Sequence, residues 1–200
     1  MKERPIIFNA ESIRAILDGR KTVTRRVIKP QPIKDKRNPD YRLPSWSLRQ
    51  GRSCCEWFFG PQNSTKNGSL RFWRSPYGER GDRLWVKEAW MPMECCQDRV
   101  LYRTDDAAGH IEDGWKSPLF MPRSVSRIIL DVVDVWAERL HELTLEEFCK
   151  EAIPLPKNNN AFMDPAKQCF AEYWDSINAK RGYPWEDNPW VWRVEFRRVE

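Results

Sequence analysis

Hydrophobic positions recur along this chain with two periods, near 3.6 and 2, and the switches between them mark its elements. Pro5-Ile6-Ile7-Phe8 is a short apolar run that predicts a first strand. Ile13, Ile16 and Leu17 follow at i, i+3, i+4 and share a helix face, with Asn9 placed as N-cap and Gly19 as the left-handed stop. Period two returns after the glycine. There Thr22, Thr24 and Arg26 point one way, while Lys21, Val23 and Arg25 point the other. A twist or bulge beside Gly19 would still let Lys21 and Thr24 meet.

Leu84 to Trp90 predicts a strand with Leu84, Val86, Glu88 and Trp90 on one face, and Val100-Leu101-Tyr102-Arg103 predicts another. Ser126 to Trp136 is the longest β run. Ile128, Leu130 and Val132 face one side of it and Ile129, Val133 and Val135 the other, so both sides read as covered. The capping box Thr144-x-x-Glu147 opens a helix with Leu145, Phe148, Cys149 and Ala152 on its apolar face. Asp164-Pro165 opens a second, striped by Phe170, Tyr173, Trp174 and Ile177 and ended by Gly182. In the last strand Trp190, Trp192, Val194 and Phe196 alternate with Val191, Arg193, Glu195 and Arg197, which predicts one core face and one largely solvated face. The sum is an α+β chain: about six strands in a closed or nearly closed mixed β-barrel, with two to three packed helices plugging its ends.

Between Lys29 and Arg80 the pattern lapses. Pro30, Pro32, Pro39, Pro44, Pro61 and Pro76 are scattered among charges, Asn and Ser, a composition that supports no core of its own. One domain over residues 1–200 with a long insertion at about 31–75 is therefore expected. Within it, residues 54–59 and 70–73 read as a hairpin across a turn cluster. Arg49, Arg52, Arg71, Arg74 and Arg80 interleave with Trp46, Trp57, Phe72 and Trp73. That interleaving fits a nucleic-acid surface, and equally a solvated lid whose aromatics cover the barrel.

Composition narrows the classes only a little. The net charge of +5, from 34 Lys+Arg against 29 Asp+Glu, tolerates a polyanionic partner without requiring one. Eleven tryptophans in 200 residues supply faces on which unpaired bases stack, although most belong to packing. No apolar run approaches the roughly 20 residues that cross a bilayer, and Met1-Lys2-Glu3-Arg4-Pro5 has no signal-peptide character, so a cytoplasmic protein with no membrane partner is expected. The six cysteines read as reduced thiols. Cys54-Cys55 and Cys95-Cys96 lack the spacing that converges two sulfurs on zinc, so no metal and no cofactor is expected, and His110 reads as an exposed loop residue.

Glu88 stands among core-facing residues, where a carboxylate is costly unless partnered; it either pairs with a residue such as Arg123 or lines a pocket. Arg123 and Arg127, at the entry of the long strand, either grip a phosphate or pair with Glu88 and Asp82. Glu146, Glu147 and Glu151 read from pattern alone as a solvated helix face beside Lys150.

Gly19-Arg20-Lys21-Thr22-x-Thr24-x-Arg26 resembles the signature of the ASCH family, small β-barrels related to the PUA RNA-binding domain. It is closest to the variant in N4-acetylcytidine amidohydrolase, with a threonine at position 24 where other ASCH domains carry glutamate. With Gly81-Asp82-Arg83-Leu84-Trp85-Val86-Lys87-Glu88, Met121-Pro122-Arg123 and Pro189-Trp190-Val191-Trp192, the wider pattern is similar to ASCH-like proteins of bacteriophages and prophages. The resemblance implies a PUA-like (ASCH) barrel whose mouth binds a nucleobase, from a modified cytidine nucleoside or from single-stranded RNA. It implies Lys21, Thr24 and Glu151 as catalytic residues of an N4-acyl amide hydrolysis. Thr24 would attack, Lys21 take its proton and Glu151 pass it to the leaving amine, with backbone N–H groups of the glycine turn or Arg26 holding the oxyanion. Trp85 or Trp90 would stack on the base, Glu88 accept from its amine, and Arg26 and Arg123 complete the binding set. Two alternatives stand beside this: a non-catalytic module for RNA or modified nucleic acid, and a phage accessory protein acting through protein contacts.

Overall fold

The computed structural model describes residues 1–31, 56–59, 71–93, 99–105, 111, 113–153 and 163–199, by backbone alone at 56–59, 71–73 and 163–165. Expectations for Trp46, Arg49, Arg52, Cys54-Cys55, Cys95-Cys96 and His110 lie outside those residues, as do those for the side chains of Trp57, Arg71, Phe72 and Trp73.

Nine strands and three α-helices are described: β1 (Glu3–Ile7), α1 (Ala10–Leu17), β2 (Val23–Val27), β3 (Glu56–Phe59), β4 (Arg71–Arg74), β5 (Arg83–Lys87), β6 (Trp90–Pro92), β7 (Val100–Tyr102), β8 (Ile129–Arg139), α2 (Leu145–Glu151), α3 (Met163–Asn178) and β9 (Trp190–Arg198). Five strands form the main sheet in the order β1-β5-β8-β9-β2. Its pairings are antiparallel except the parallel β1–β5 edge, whose register sets Glu3 opposite Arg83 and Ile7 opposite Lys87. β3–β4 and β6–β7 are separate antiparallel hairpins.

The barrel is not closed. Among the described residues β1 and β2 are opposite edges of the sheet, with no ladder between them. The chain passes from one edge to the other through α1, and a side chain bridges the seam: Arg26 Nη2 donates to the Ile7 carbonyl at 2.6 Å.

α1 forms where the period predicts it. Asn9 Oδ1 caps Ser12 N at 2.9 Å, and Ser12, Ile13, Ala15 and Ile16 are buried. Gly19 adopts φ +72° and returns its N–H to the Ile16 carbonyl, so the chain leaves the helix in a left-handed step that a Cβ disfavours. Gly19→Ala is therefore expected to cost about 1 kcal/mol and to lower Tm by roughly 2–4 °C in a thermal melt.

Two cores flank the sheet. One face carries Ile6, Ile13, Ile16, Leu84, Leu130, Val132, Trp192, Val194 and Phe196. On the other, Leu140, Phe148, Phe170, Trp174 and Val191 join α2 and α3 to the strands. Both faces of β9 are thus covered: Val191 and Arg193 are buried, and solvation begins only near its end. The alternation in β9 predicts a solvated second face, and the packing of α2 and α3 overrides it.

The long strand runs Ile129–Arg139 and carries a bulge between Val132 and Asp134. The extra residue shifts the phase, so Leu130 and Val132 point inward before it and Val135 and Ala137 after it, while Val133 is 41 % exposed. The predicted 84–90 strand divides at Glu88-Ala89, where the chain leaves the main sheet for the β6–β7 hairpin. Its alternation persists through the break, since Leu84, Val86, Glu88 and Trp90 are all buried.

Candidate functional site

The open seam is a cleft of about 370 Å³. The end of β1 and the start of α1 form one wall through Ile7, Phe8, Asn9 and Ser12, β2 forms the floor, and the second half of α3 with the turn that follows it forms the opposite wall through Tyr173, Ile177 and, in the turn, Arg181. Tyr77 also lines it. Burial raises the Tyr77 phenol above the usual tyrosine range, with the nearby Arg26 charge opposing.

Lys21 lies just ahead of β2, where the backbone still follows the helix exit: its N–H and that of Arg20 both donate to the Ala15 carbonyl. This frees its side chain from the strand alternation. Lys21, Thr24 and Arg26 all line the cleft. Thr24 is buried in the fold, and its hydroxyl engages no partner among the described residues. Lys21 is 4 % exposed. Its Nζ donates to Glu151 Oε2 at 2.6 Å and to the Glu151 carbonyl at 2.7 Å. Burial is the largest influence on this amine and pushes it below the ordinary lysine range; Glu151 pulls it back up, and Arg25 and Arg26 add to the depression.

Glu151 reaches the cleft because α2 docks on the sheet through charge. It ends α2, Ala152 turns away at φ +52°, and the carboxylate is 5 % exposed. Arg25, fully enclosed, donates from Nε to Glu138 Oε1 at 2.6 Å, from Nη2 to Glu147 Oε2 at 2.7 Å and from Nη1 to Glu151 Oε1 at 3.3 Å. Arg193 lies against the face of Trp136, its Cζ 3.8 Å from the ring centroid, and bonds Glu195 at 2.9 Å. Its Nε is 2.6 Å from Glu147 Oε1 without the angle of a hydrogen bond, so that contact is purely ionic. Glu147 and Glu151 therefore belong to a buried charge network, while Glu146, 78 % exposed, is the solvated member of the helix.

Expected oxyanion donors at the glycine turn are already engaged. The N–H groups of Gly19, Arg20, Lys21 and Thr22 bond the carbonyls of Ile16, Ala15, Ala15 and Lys150. Arg26 remains, since its Nε is buried with no partner among the described residues and its Cζ sits 5.0 Å over the Phe8 ring.

Trp85, Glu88, Trp90 and Arg123 do not line this cleft. Glu88, 1 % exposed, accepts from Thr104 Oγ1 at 2.6 Å and pairs with Arg127 at 2.9 Å, rather than with Arg123. Arg127 also holds Asp105 and stacks on Tyr102, while Arg123 pairs with Glu3 at the surface. Asp82 instead accepts from Lys2 N at 2.7 Å. Lys87 sits over the Trp85 ring and Lys116 over the Trp90 ring. Conversely, Tyr77 and the α3 residues line the cleft, although no local motif marks them for it. The Phe170-Tyr173-Trp174-Ile177 stripe signals burial, and its edge is what the cleft exposes.

Among the described residues no group of three or more His, Cys, Asp or Glu is placed to hold a metal ion, and no helix is long and apolar enough to cross a membrane. No family model and no curated protein matches the chain. Among solved structures it is similar to the ASCH domain from Lactobacillus crispatus JV V101, at 7% identity over 98% of this chain and 79% of that one, with a TM-score of 0.40.

Proposed function

We propose that the cleft binds the nucleobase of a modified cytidine, as a nucleoside or within RNA, and hydrolyses an N4-acyl amide. The observation that carries this reading is a buried lysine with a depressed amine, held by Glu151 in the same cleft as the unengaged hydroxyl of Thr24. Nucleophile, base and a third group orienting the base are the elements of an acyl-transfer site.

Thr24 Oγ1 attacks the acyl carbonyl while Lys21 Nζ takes its proton. Arg26 stabilises the oxyanion. The C–N bond then breaks, the proton travels by way of Glu151 to the departing cytosine amine, and water hydrolyses the Thr24 ester to release the carboxylic acid. Tyr77 and Tyr173 offer the ring faces on which the base packs.

Incubation with a panel of N4-acylated cytidines, followed by chromatography for free cytidine, tests the reading. Release is expected with the natural chain and with Thr24→Ser, which keeps the hydroxyl, and lost with Thr24→Ala. Full turnover by Thr24→Ala would exclude the nucleophile assignment.

A second reading keeps the base site without turnover. What favours it is that the Lys21 ammonium, donating to both the carboxylate and the carbonyl of Glu151, already serves as a C-terminal cap for α2. Base binding with no product release from any acyl nucleoside is its expected outcome.

A further inference from the structure

The cleft carries more positive charge than a neutral nucleoside can use. Six charged side chains line it: Lys21, Arg25, Arg26, Lys29, Arg181 and Glu151. Lys21 is matched by Glu151, and Arg25 by Glu138 and Glu147 behind the floor. Arg26, Lys29 and Arg181 pair with no carboxylate among the described residues. Arg26 is tied to the Ile7 carbonyl and lies over the floor beside Thr24. Lys29 and Arg181 are exposed at the rim, one just past β2 and the other in the turn after α3, and Lys29 Nζ sits 5.6 Å from the Tyr183 ring centroid in that same turn.

A basic residue near the end of a helix complements the helix dipole wherever it points. That accounts for Arg181 alone. It does not account for Lys29, which comes from a different element and lines the same cleft as Arg181.

We propose that Lys29 and Arg181 form a phosphate seat, so that the ligand of this cleft is a nucleoside phosphate rather than a free nucleoside. The inference rests on the nucleobase reading above and adds the charged half of the ligand to it. An N4-acyl nucleoside is neutral and develops only a transient oxyanion, which Arg26 takes. A phosphate monoester or diester supplies fixed negative charge where the two rim cations stand, and a guanidinium and an ammonium are the donors that grip phosphate oxygens. The volume, about 370 Å³, falls in the range of roughly 300–1,000 Å³ that encloses a ligand with base, sugar and phosphate together.

Binding would be measured by calorimetry at low salt with four probes: N4-acetylcytidine, its 5′-monophosphate, a short RNA carrying the base with internal phosphates but a 5′-hydroxyl, and ribose 5-phosphate. The monophosphate is expected to bind at least about tenfold tighter than the nucleoside, with the difference shrinking as salt is raised. The Lys29→Met/Arg181→Met double variant is expected to erase that ratio. An RNA that binds as tightly as the monophosphate makes a strand diester the occupant, whereas a preference confined to the terminal phosphate makes it a mononucleotide.

Equal affinity for nucleoside and monophosphate, or a ratio that survives the double variant, would overturn the seat and leave the base site standing. Ribose 5-phosphate binding that the double variant abolishes, with no added affinity from any base, would overturn the base reading and leave the seat. Binding of none of the four overturns both.

Discussion

Lys21→Met is expected to lower the rate of the proposed N4-acyl amide hydrolysis by about 10²–10⁴-fold, the usual contribution of a positioned general base. The methionine fills much of the same volume, and Glu151 keeps a cation, because Arg25 Nη1 stands 3.3 Å from its other oxygen. Lys21→Arg separates chemistry from structure. The guanidinium retains the charge opposite Glu151 but cannot be deprotonated, so turnover is expected to fall as far as in the methionine variant while the melting temperature recovers. The natural chain carries a further signature. In the proposed mechanism Lys21 works as the neutral amine, whose fraction grows as pH rises through the folded-state pKa, and burial sets that pKa below the ordinary lysine range. The rate is therefore expected to climb with pH and to level off at a lower pH than an unperturbed lysine would give, and this limb is expected to vanish in Lys21→Arg. A pH profile of kcat for both proteins checks it; an unchanged limb in the arginine variant rules Lys21 out as the base.

Arg25→Met is expected to cause the largest loss of stability. Arg25 is the shared partner of Glu138, Glu147 and Glu151, and removing it leaves the buried Glu138 with no cation among the described residues, only the Trp136 indole N–H, while Glu147 keeps Arg193 and Glu151 keeps Lys21. Breaking a buried pair in this way costs about 3–5 kcal/mol, because the remaining charge is left desolvated. For a chain of this length that is a fall in Tm of roughly 6–20 °C by differential scanning calorimetry. Glu138 already feels the strain of its position, since burial pushes its carboxyl up while Arg25 pulls it down. Adding Glu138→Gln to Arg25→Met is accordingly expected to restore part of the loss, and a double-mutant cycle measures how much. If Arg25→Met melts with the natural chain, α2 is not anchored by charge.

Much of the framework is legible from local pattern. The Asn9 cap, the Gly19 stop, the Thr144 capping box and the stripe on α3 each carry their instruction within a few residues, and each element forms there. What pattern does not carry is which surface another element will cover. Arg193 and Glu151 read as solvated because their neighbours are charged, yet both are buried, since the charges on α2 and on the strands satisfy one another across the interface. The bulge at Val133 leaves no mark in a run that is apolar on both faces. Glu88 illustrates the same limit at a smaller scale: its burial follows from alternation, but its partner, Arg127 rather than Arg123, depends on the path of the intervening hairpin. Within the candidate site, Lys21, Thr24 and Arg26 come from one contiguous stretch, and only the family resemblance points to Glu151, whereas Tyr77 and the α3 wall arrive through tertiary folding alone.

The unzipped seam between β1 and β2 leaves two strand margins able, in principle, to recruit a strand from another molecule. Arg4 stands on one margin and Arg26 on the other, with the Arg26 guanidinium already occupying the carbonyl of Ile7. An arginine on each margin, and one acceptor blocked from within, discourage intermolecular sheet extension, so the gap can stay open to small molecules without inviting fibrous self-association.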